Sequence, residues 1–487
     1  MSVVRSALVF IEQFLAVFGP RSFFGTLLLA LSYLQGMNLS LGRTVLDRII
    51  CMTRNRNSRH MIDRRFNKTV LLFLAVFCIL ISDTLLASGQ IELGRTIQVP
   101  LSRDRALGER SLYFEFGAPY DNRKPVILVI ADGQQFYVRK DSVKALQEKL
   151  FGDAFNVVGI VTRGSTPEFI QATLGPKGQP DWLKAWQIFN SDQWIDDIET
   201  VRKAIVGEHG SVFLYGRSGG AYLVHQYLAK YGEHVLRAFT QSAVNPFIVH
   251  DLGIGLDRFW SELGMQDSKL QSLLLNALAQ HPDERIKILM TLQRQHFYVS
   301  ADKINAARTD LIQALAKGEM STYETARKEY EVDDVVKMSE SSDIIPQNIR
   351  VLELIYPSGA FQSLDDGALY PLIETQHYFL EPLLSLLNAG QIQLPRFDDS
   401  AAHKSQTEVF ILAGRWDEAV DYRTSIAFAY GYPKHQLFIA DDNHVFSKLS
   451  ETRVDRQLVQ SFFKGGLGSP EFQKEISNAK QYRWIEQ

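Results

Sequence analysis

Cysteine is almost missing from this chain: there are two in 487 residues, Cys51 and Cys78. That excludes a disulfide framework and any cysteine-rich metal site. An excess of one charge is missing too. The formal net charge is −3, which gives no reason to expect nucleic acid as a partner. No internal repeat and no low-complexity segment is present, so a repeat array is excluded. What is there, 46% hydrophobic and 22% charged residues, is the balance of a folded globular protein with one large domain or two ordinary ones.

The charge is unevenly placed. Residues 1–89 hold 10 Lys/Arg against 4 Asp/Glu, and the remaining 398 hold 42 against 51. A basic, apolar leader therefore precedes a mildly acidic body. Met61-Ile-Asp-Arg-Arg-Phe-Asn-Lys68 is a short positive segment, residues 70–81 are unbroken apolar sequence, and Ala87-Ser-Gly89 offers small residues to a signal peptidase. This is the grammar of a secretory signal peptide over 61–89, cleaved between Gly89 and Gln90. The alternative is a retained membrane anchor, but the apolar run falls short of the roughly 20 residues a span needs. For residues 1–60 three accounts compete: a membrane hairpin, an amphipathic surface segment, or sequence upstream of a true start at Met61. The last is preferred, because a complete signal peptide is an odd thing to bury inside a leader. The mature chain then has no cysteine, as suits an oxidising compartment. The body is expected outside the cytoplasm, periplasmic or secreted, touching a membrane only through its leader.

In the body, short runs rich in β-branched and aromatic residues recur at 112–116, 126–130, 157–161, 212–215, 409–413 and 437–440. Runs this apolar suit strands covered on both faces, as in a parallel sheet. Helical patterns lie between them at 142–150, 192–205 and 220–231. The alternation predicts an α/β domain over 90–245 and 401–487, with its active site at the carboxyl ends of the strands. Between these segments, 246–400 reads as helical, with candidates at 270–278, 285–293, 302–315 and 322–330. It is expected to form a lid over that edge.

Val212-Phe-Leu-Tyr-Gly-Arg-Ser-Gly-Gly220 carries the most information. It fits Gly-x-Ser-x-Gly at Gly216, Ser218 and Gly220, follows an apolar run and leads into a helix. A sharp strand-to-helix turn holds its serine in a strained conformation, and only small neighbours avoid collision. Ser218 is thus the candidate nucleophile. A serine hydroxyl needs a base, oriented in turn by a carboxylate, and the chain order for this architecture is serine, acid, histidine. Asp417 follows the run at 409–413 and His444 follows the run at 437–440, so both should arrive at the edge that carries Ser218. Asp421, Asp441 and Asp442 are rival acids. Asp441 and Asp442 share a loop with His444, whereas an orienting acid comes from a separate loop. The oxyanion hole is expected from the amides of Gly219 and of Gln134, the latter in the loop after 126–130.

These residues together resemble the α/β-hydrolase superfamily, and within it most closely the prolyl iminopeptidase branch. Asp192-Gln-Trp-Ile-Asp-Asp-Ile-Glu-Thr-Val-Arg-Lys203, Gly216-Arg-Ser-Gly-Gly220, Gly414-Arg-Trp-Asp417 and Val158-Gly-Ile-Val-Thr-Arg-Gly164 are similar to patterns of that branch. Asp132-Gly-Gln-Gln-Phe136 stands where the branch has its His-Gly-Gly-Pro-Gly loop, and Gly219 where it has tryptophan. The resemblance implies an α/β-hydrolase core with an inserted helical cap, and a serine hydrolase that works through an acyl-enzyme without metal or organic cofactor. It implies further an aminopeptidase, proline-type, acting on short peptides. A free α-ammonium would need carboxylates in the lid, where Glu329, Glu331, Asp333, Asp334, Asp365, Asp366, Glu374 and Glu381 are available. Trp260, Phe297, Tyr298, Phe361 and Tyr378 could wall a pocket there. A carboxylesterase on small esters is the alternative, and a catalytically silent hydrolase-fold binding protein is the alternative of another class. Nothing in the sequence speaks to oligomeric state.

Overall fold

The computed structural model describes residues 93–484, apart from 104–106, 133–137, 256, 258, 261–267, 340, 360 and 362–368. The leader and the expected cleavage point lie outside the described residues. Among the described residues, no helix is long and apolar enough to cross a membrane.

Eight strands form one sheet: β1 Gly94–Pro100, β2 Glu109–Phe116, β3 Val126–Ile130, β4 Asn156–Ile160, β5 Val212–Arg217, β6 Val235–Gln241, β7 Glu408–Gly414 and β8 His435–Ala440. Their order across the sheet is β1-β2-β4-β3-β5-β6-β7-β8. β1 pairs antiparallel with β2, and β2 with β4, while every other pairing is parallel. The apolar runs explain this. In β3, Val126, Leu128 and Ile130 join the core on one face of the sheet while Ile127 and Val129 join the core on the other. β5 divides likewise, Leu214 to one face and Phe213 and Tyr215 to the other. Strands apolar on both sides need helices on both sides.

Two strands escaped the sequence pattern. β1 is an edge strand with only Val99 buried, so it has no apolar run to see. β6 is central, but Arg237 interrupts its apolar sequence. That guanidinium pairs with Glu408 at 2.9 Å, donates to the Phe463 carbonyl at 2.7 Å and lies over the Phe213 ring. A charged residue satisfied in this way fits a strand that its sequence alone conceals. The helix expected over 142–150 is instead a four-residue α-turn, Val143–Leu146, running into a π-turn, Gln147–Phe151.

The helices that bear on the site are α1 Ser191–Val206, α2 Gly219–Tyr231, α3 Arg285–Tyr298, α4 Ile304–Ala316, α5 Ile344–Ile355, α6 Pro371–Asn388, α7 Tyr422–Gly431 and α8 Val454–Gly465. Between β6 and β7 the described chain is helical, with no strand. Its first half builds a small core of its own, in which Leu274, Leu289, Leu292, Leu311 and Leu315 are fully buried. Its second half packs on the sheet's own core: Ile345, Ile349 and Leu352 of α5, with Leu380 and Leu383 of α6, belong to the cluster that covers one face of the sheet.

Among the described residues, four arginines are buried almost completely: Arg163, Arg202, Arg308 and Arg350. Arg163 grips Asp197 of α1 with two hydrogen bonds at 2.5 and 2.7 Å and donates to the carbonyls of Pro100, Leu101 and Ile188. It locks α1 to the segment after β4 and to the end of β1. Burial pushes the Asp197 carboxyl upward against the pull of Arg163.

Two buried histidines set an acid limit on stability. His225 of α2 bonds through Nδ1 to the Tyr432 hydroxyl at 2.7 Å and stacks on Phe428. Burial pushes its imidazole down to about 3, and that of His296 down to about 4. Folded, both stay neutral below the ordinary histidine value, where the unfolded chain takes up protons. Stability is therefore expected to fall as pH drops from about 6.5 towards 4, by at most ~1.4 kcal/mol per pH unit for each histidine. Denaturant titrations of His225→Gln should show one histidine's share of that slope removed. An unchanged slope would contradict a neutral, buried imidazole.

Candidate active site

β5 ends in Gly216 and Arg217, and α2 starts at Gly219, so Ser218 has to turn the chain alone. It does so at φ 51° and ψ −126°, a left-handed region that costs a non-glycine residue on the order of 1–3 kcal/mol. The turn is held from both sides: the Ser218 amide donates to the Gln241 carbonyl of β6 at 2.7 Å, and the Ser218 carbonyl accepts from Tyr222 at 3.2 Å. Gly216 is required by a close approach, since a Cβ there would lie 2.6 Å from the Gly220 carbonyl oxygen. Gly219 is required for space as well. A Cβ there would lie 1.6 Å from Oδ2 of Asp132 and 3.3 Å from Leu354 of α5. Ser218 is left partly exposed at the carboxyl edge of the sheet.

Along that edge the next strands each contribute one residue. Ser242, directly after β6 and itself at φ 50°, donates its hydroxyl to Asp417 Oδ2 at 2.7 Å. The same oxygen meets His444 Nδ1 at 2.8 Å. Asp417 Oδ1 accepts the amides of Ala419 and Val420, both at 2.9 Å. Because the carboxylate only accepts, His444 Nδ1 is the donor in this contact. Burial acts to raise the Asp417 carboxyl, but His444, the Ser242 hydroxyl and the Val420 amide outweigh it and hold it below the ordinary aspartate value. Asp417 is fully buried and His444 nearly so.

The rival acids are occupied elsewhere. Asp421 caps α7 and pairs with Arg423. Asp441 accepts from the Trp416 indole at 2.6 Å and from Lys448 at 2.9 Å. Asp442 accepts the Leu449 amide at 3.0 Å. The structure thus brings Asp417 and His444 into contact, places Ser218 and Gly219 on the same edge, and leaves Gln134 outside the described residues. Ser242 was missed from sequence because the strand before it was missed.

The inserted helices reach this edge at three points. Phe297 of α3 meets the His444 ring edge to face at 5.6 Å. Arg308 of α4 pairs with Glu418, the neighbour of Asp417. Arg350 of α5 donates to the Gly219 carbonyl at 3.4 Å. Of the other suggested aromatics, Tyr378 is exposed and Tyr298 bonds to Glu331.

The chain order serine, acid, histidine on the ends of β5, β7 and β8, with a strained serine between a central strand and its helix, defines the α/β-hydrolase fold. No family model matches the sequence, and no curated protein matches it. Among solved structures the chain is similar to 2-hydroxy-6-oxo-6-phenylhexa-2,4-dienoate hydrolase from Rhodococcus sp. strain RHA1, at 13% identity over 76% of this chain and 100% of that one, with a TM-score of 0.38. It is also similar to a thermophilic esterase from Thermogutta terrifontis, at 13% identity over 76% of this chain and 98% of that one, with a TM-score of 0.36. A third is MGS-M2, an α/β hydrolase enzyme from a Medee basin deep-sea metagenome library, at 12% identity over 74% and 96% with a TM-score of 0.37.

The crowding at Gly219 can be checked by stability alone. Gly219→Ala should lower the denaturant midpoint by the equivalent of about 2 kcal/mol or more, because the new methyl group meets a buried carboxylate rather than a flexible side chain. A variant as stable as the parent would mean that Asp132 does not lie against this turn.

Proposed function

We propose that the chain is a serine hydrolase acting on small carboxylic esters through an acyl-enzyme. The observation that carries this reading is the Asp417–His444 hydrogen bond on the sheet edge where Ser218 is held at positive φ. In the proposed reaction His444 Nε2 takes the Ser218 proton as Oγ attacks the ester carbonyl carbon. The negative oxygen of the tetrahedral intermediate faces the Gly219 amide, with Gln134 as the second donor assigned from sequence. Its collapse breaks the bond to the alkoxide, which leaves with the proton from His444. Water then attacks the acyl-serine by the same route in reverse, and Ser218 is restored. No step draws on a metal or organic cofactor.

An ester is preferred to an amino-terminal peptide because of where the lid acids fall. An ammonium binder needs a carboxylate that is desolvated and not already compensated. Glu329, Asp334 and Glu381 are exposed; Glu331 and Asp333, also exposed, pair with arginines. Glu374 pairs with Arg285. Of the buried acids near the site, Glu353 is paired with Arg350 and Glu418 with Arg308, while Asp257 accepts three backbone amides and burial still pushes its carboxyl up to about 6, towards the neutral form. Asp365 and Asp366 lie outside the described residues. Two of the segments that carry the prolyl iminopeptidase resemblance, 158–164 and 192–203, meet through Arg163 on Asp197 and serve the scaffold.

A fluorophosphonate probe should label the folded protein, and Ser218→Ala should abolish labelling. p-Nitrophenyl acetate and butyrate should be turned over, with Ser218→Ala, His444→Ala and Asp417→Asn each losing at least about a thousandfold in kcat. Turnover confined to aminoacyl naphthylamides with a free amine, lost on N-acetylation, would replace the ester reading with the aminopeptidase. A folded protein that neither labels nor turns over would be the silent binding protein. Export through residues 61–89 belongs to the same proposal. N-terminal sequencing should find a chain that starts near Gln90, whereas an intact leader in the membrane fraction would mean an anchor.

A further inference from the structure

The oxyanion hole of the proposed hydrolase has an awkward neighbour. Asp132 lies in the loop after β3, and its side chain is fully buried. Its Oδ2 is packed so tightly against Gly219 that only a glycine fits there. The negative oxygen of the tetrahedral intermediate would form at the Gly219 amide, at the amino end of α2. A fixed carboxylate at that end competes with it for the positive end of the helix dipole and repels it through a medium that screens poorly. Left alone, Asp132 would work against the reaction.

The balancing charge comes from the inserted helices. Arg350 of α5 is wholly buried, and its Nε lies 3.7 Å from Asp132 Oδ2. Its Nη2 donates to the Gly219 carbonyl at 3.4 Å, and its Nη1 pairs with Glu353. Glu353 in turn accepts the Ser191 amide at 2.8 Å, at the head of α1. One guanidinium thus stands between two buried carboxylates, each of which sits at the amino end of a helix. Remove the guanidinium, and two buried carboxylates lose the cation they share.

We propose that Arg350 is a positioning residue of the oxyanion hole: it neutralises Asp132 and holds the Gly219 peptide so that the Gly219 amide serves the reacting oxygen. It touches no substrate. The role rests on the serine-hydrolase reading and extends it, because it makes the competence of the core site depend on a charge delivered by the insertion.

The experiment is a set of variants assayed with p-nitrophenyl butyrate after wild type has been compared with Ser218→Ala. Arg350→Gln keeps a donor near the Gly219 carbonyl but removes the charge. It should lower kcat about thirtyfold and leave KM within about threefold, since the lost interaction operates only when the oxyanion forms. Arg350→Lys keeps the charge and should retain at least about a third of the wild-type kcat. Adding Asp132→Asn and Glu353→Gln to Arg350→Gln removes both charges that needed balancing, and kcat should return to within about fivefold of wild type. Should Arg350→Gln alone show no cooperative thermal transition, the triple variant decides, because it buries no unbalanced carboxylate at this point. A triple variant that folds but stays about a hundredfold below wild type overturns the role, as does a triple variant that does not fold. A lysine variant as poor as the glutamine variant overturns it too. Absence of Ser218-dependent turnover in wild type would overturn the hydrolase reading and the role with it, and is seen before any Arg350 variant is assayed.

Discussion

The site depends on one turn, in which β5 gives way to α2 across a single residue. For Ser218 to point outward from that turn, the strand end and the helix start have to approach more closely than side chains allow, and the chain meets this with Gly216, packed on the Gly220 carbonyl. The strain at Ser218 persists because β6 holds its amide and the Tyr222 amide of α2 holds its carbonyl. Everything else at the edge is registered to it. The parallel strands β6, β7 and β8 bring Ser242, Asp417 and His444 forward in sequence, so that a hydrogen-bonded row runs across three neighbouring strand ends. Ser242 repeats the device on a smaller scale, since its own positive φ aims a hydroxyl at the carboxylate.

The inserted helices are joined to this row by charge as well as by apolar contact. Arg308 reaches the residue after Asp417, and Arg350 reaches the peptide after Ser218. Both guanidinium groups are excluded from water, and so are the carboxylates they meet. Buried pairs of this kind add little net stability compared with apolar packing, but breaking one is costly. They specify an arrangement, and here the arrangement is the position of two loops at the carboxyl edge relative to helices far away in sequence.

The parts legible in the sequence are those where local chemistry has one solution. An apolar run such as Val126–Ile130 has to be covered on both faces, and a glycine-flanked serine after such a run has to be a sharp turn. The positions of Asp417 and His444 at the strand ends were legible in a similar way, since each comes a few residues after a strand. What escaped depends on partners distant in the chain. β6 hides behind Arg237, whose pairing with Glu408 cannot be read from either segment alone. Ser242 was hidden with it. Arg350 lies in α5 among apolar residues and reads as an ordinary helix position until Asp132 and Gly219 are beside it. The acids of the insertion were legible as acids, but whether each faced solvent or an arginine was not.

The burial of Arg308 and Arg350 also bears on how such a protein changes over generations. A cap joined to its core only through apolar contacts can be lengthened, shortened or replaced by another of similar greasiness, since hydrophobic surfaces are permissive partners. This insertion is not interchangeable in that sense. A substitute without two cations at the right places would leave Asp132 and Glu418 buried without their counter-charges, so core and insertion have to be inherited, or altered, together.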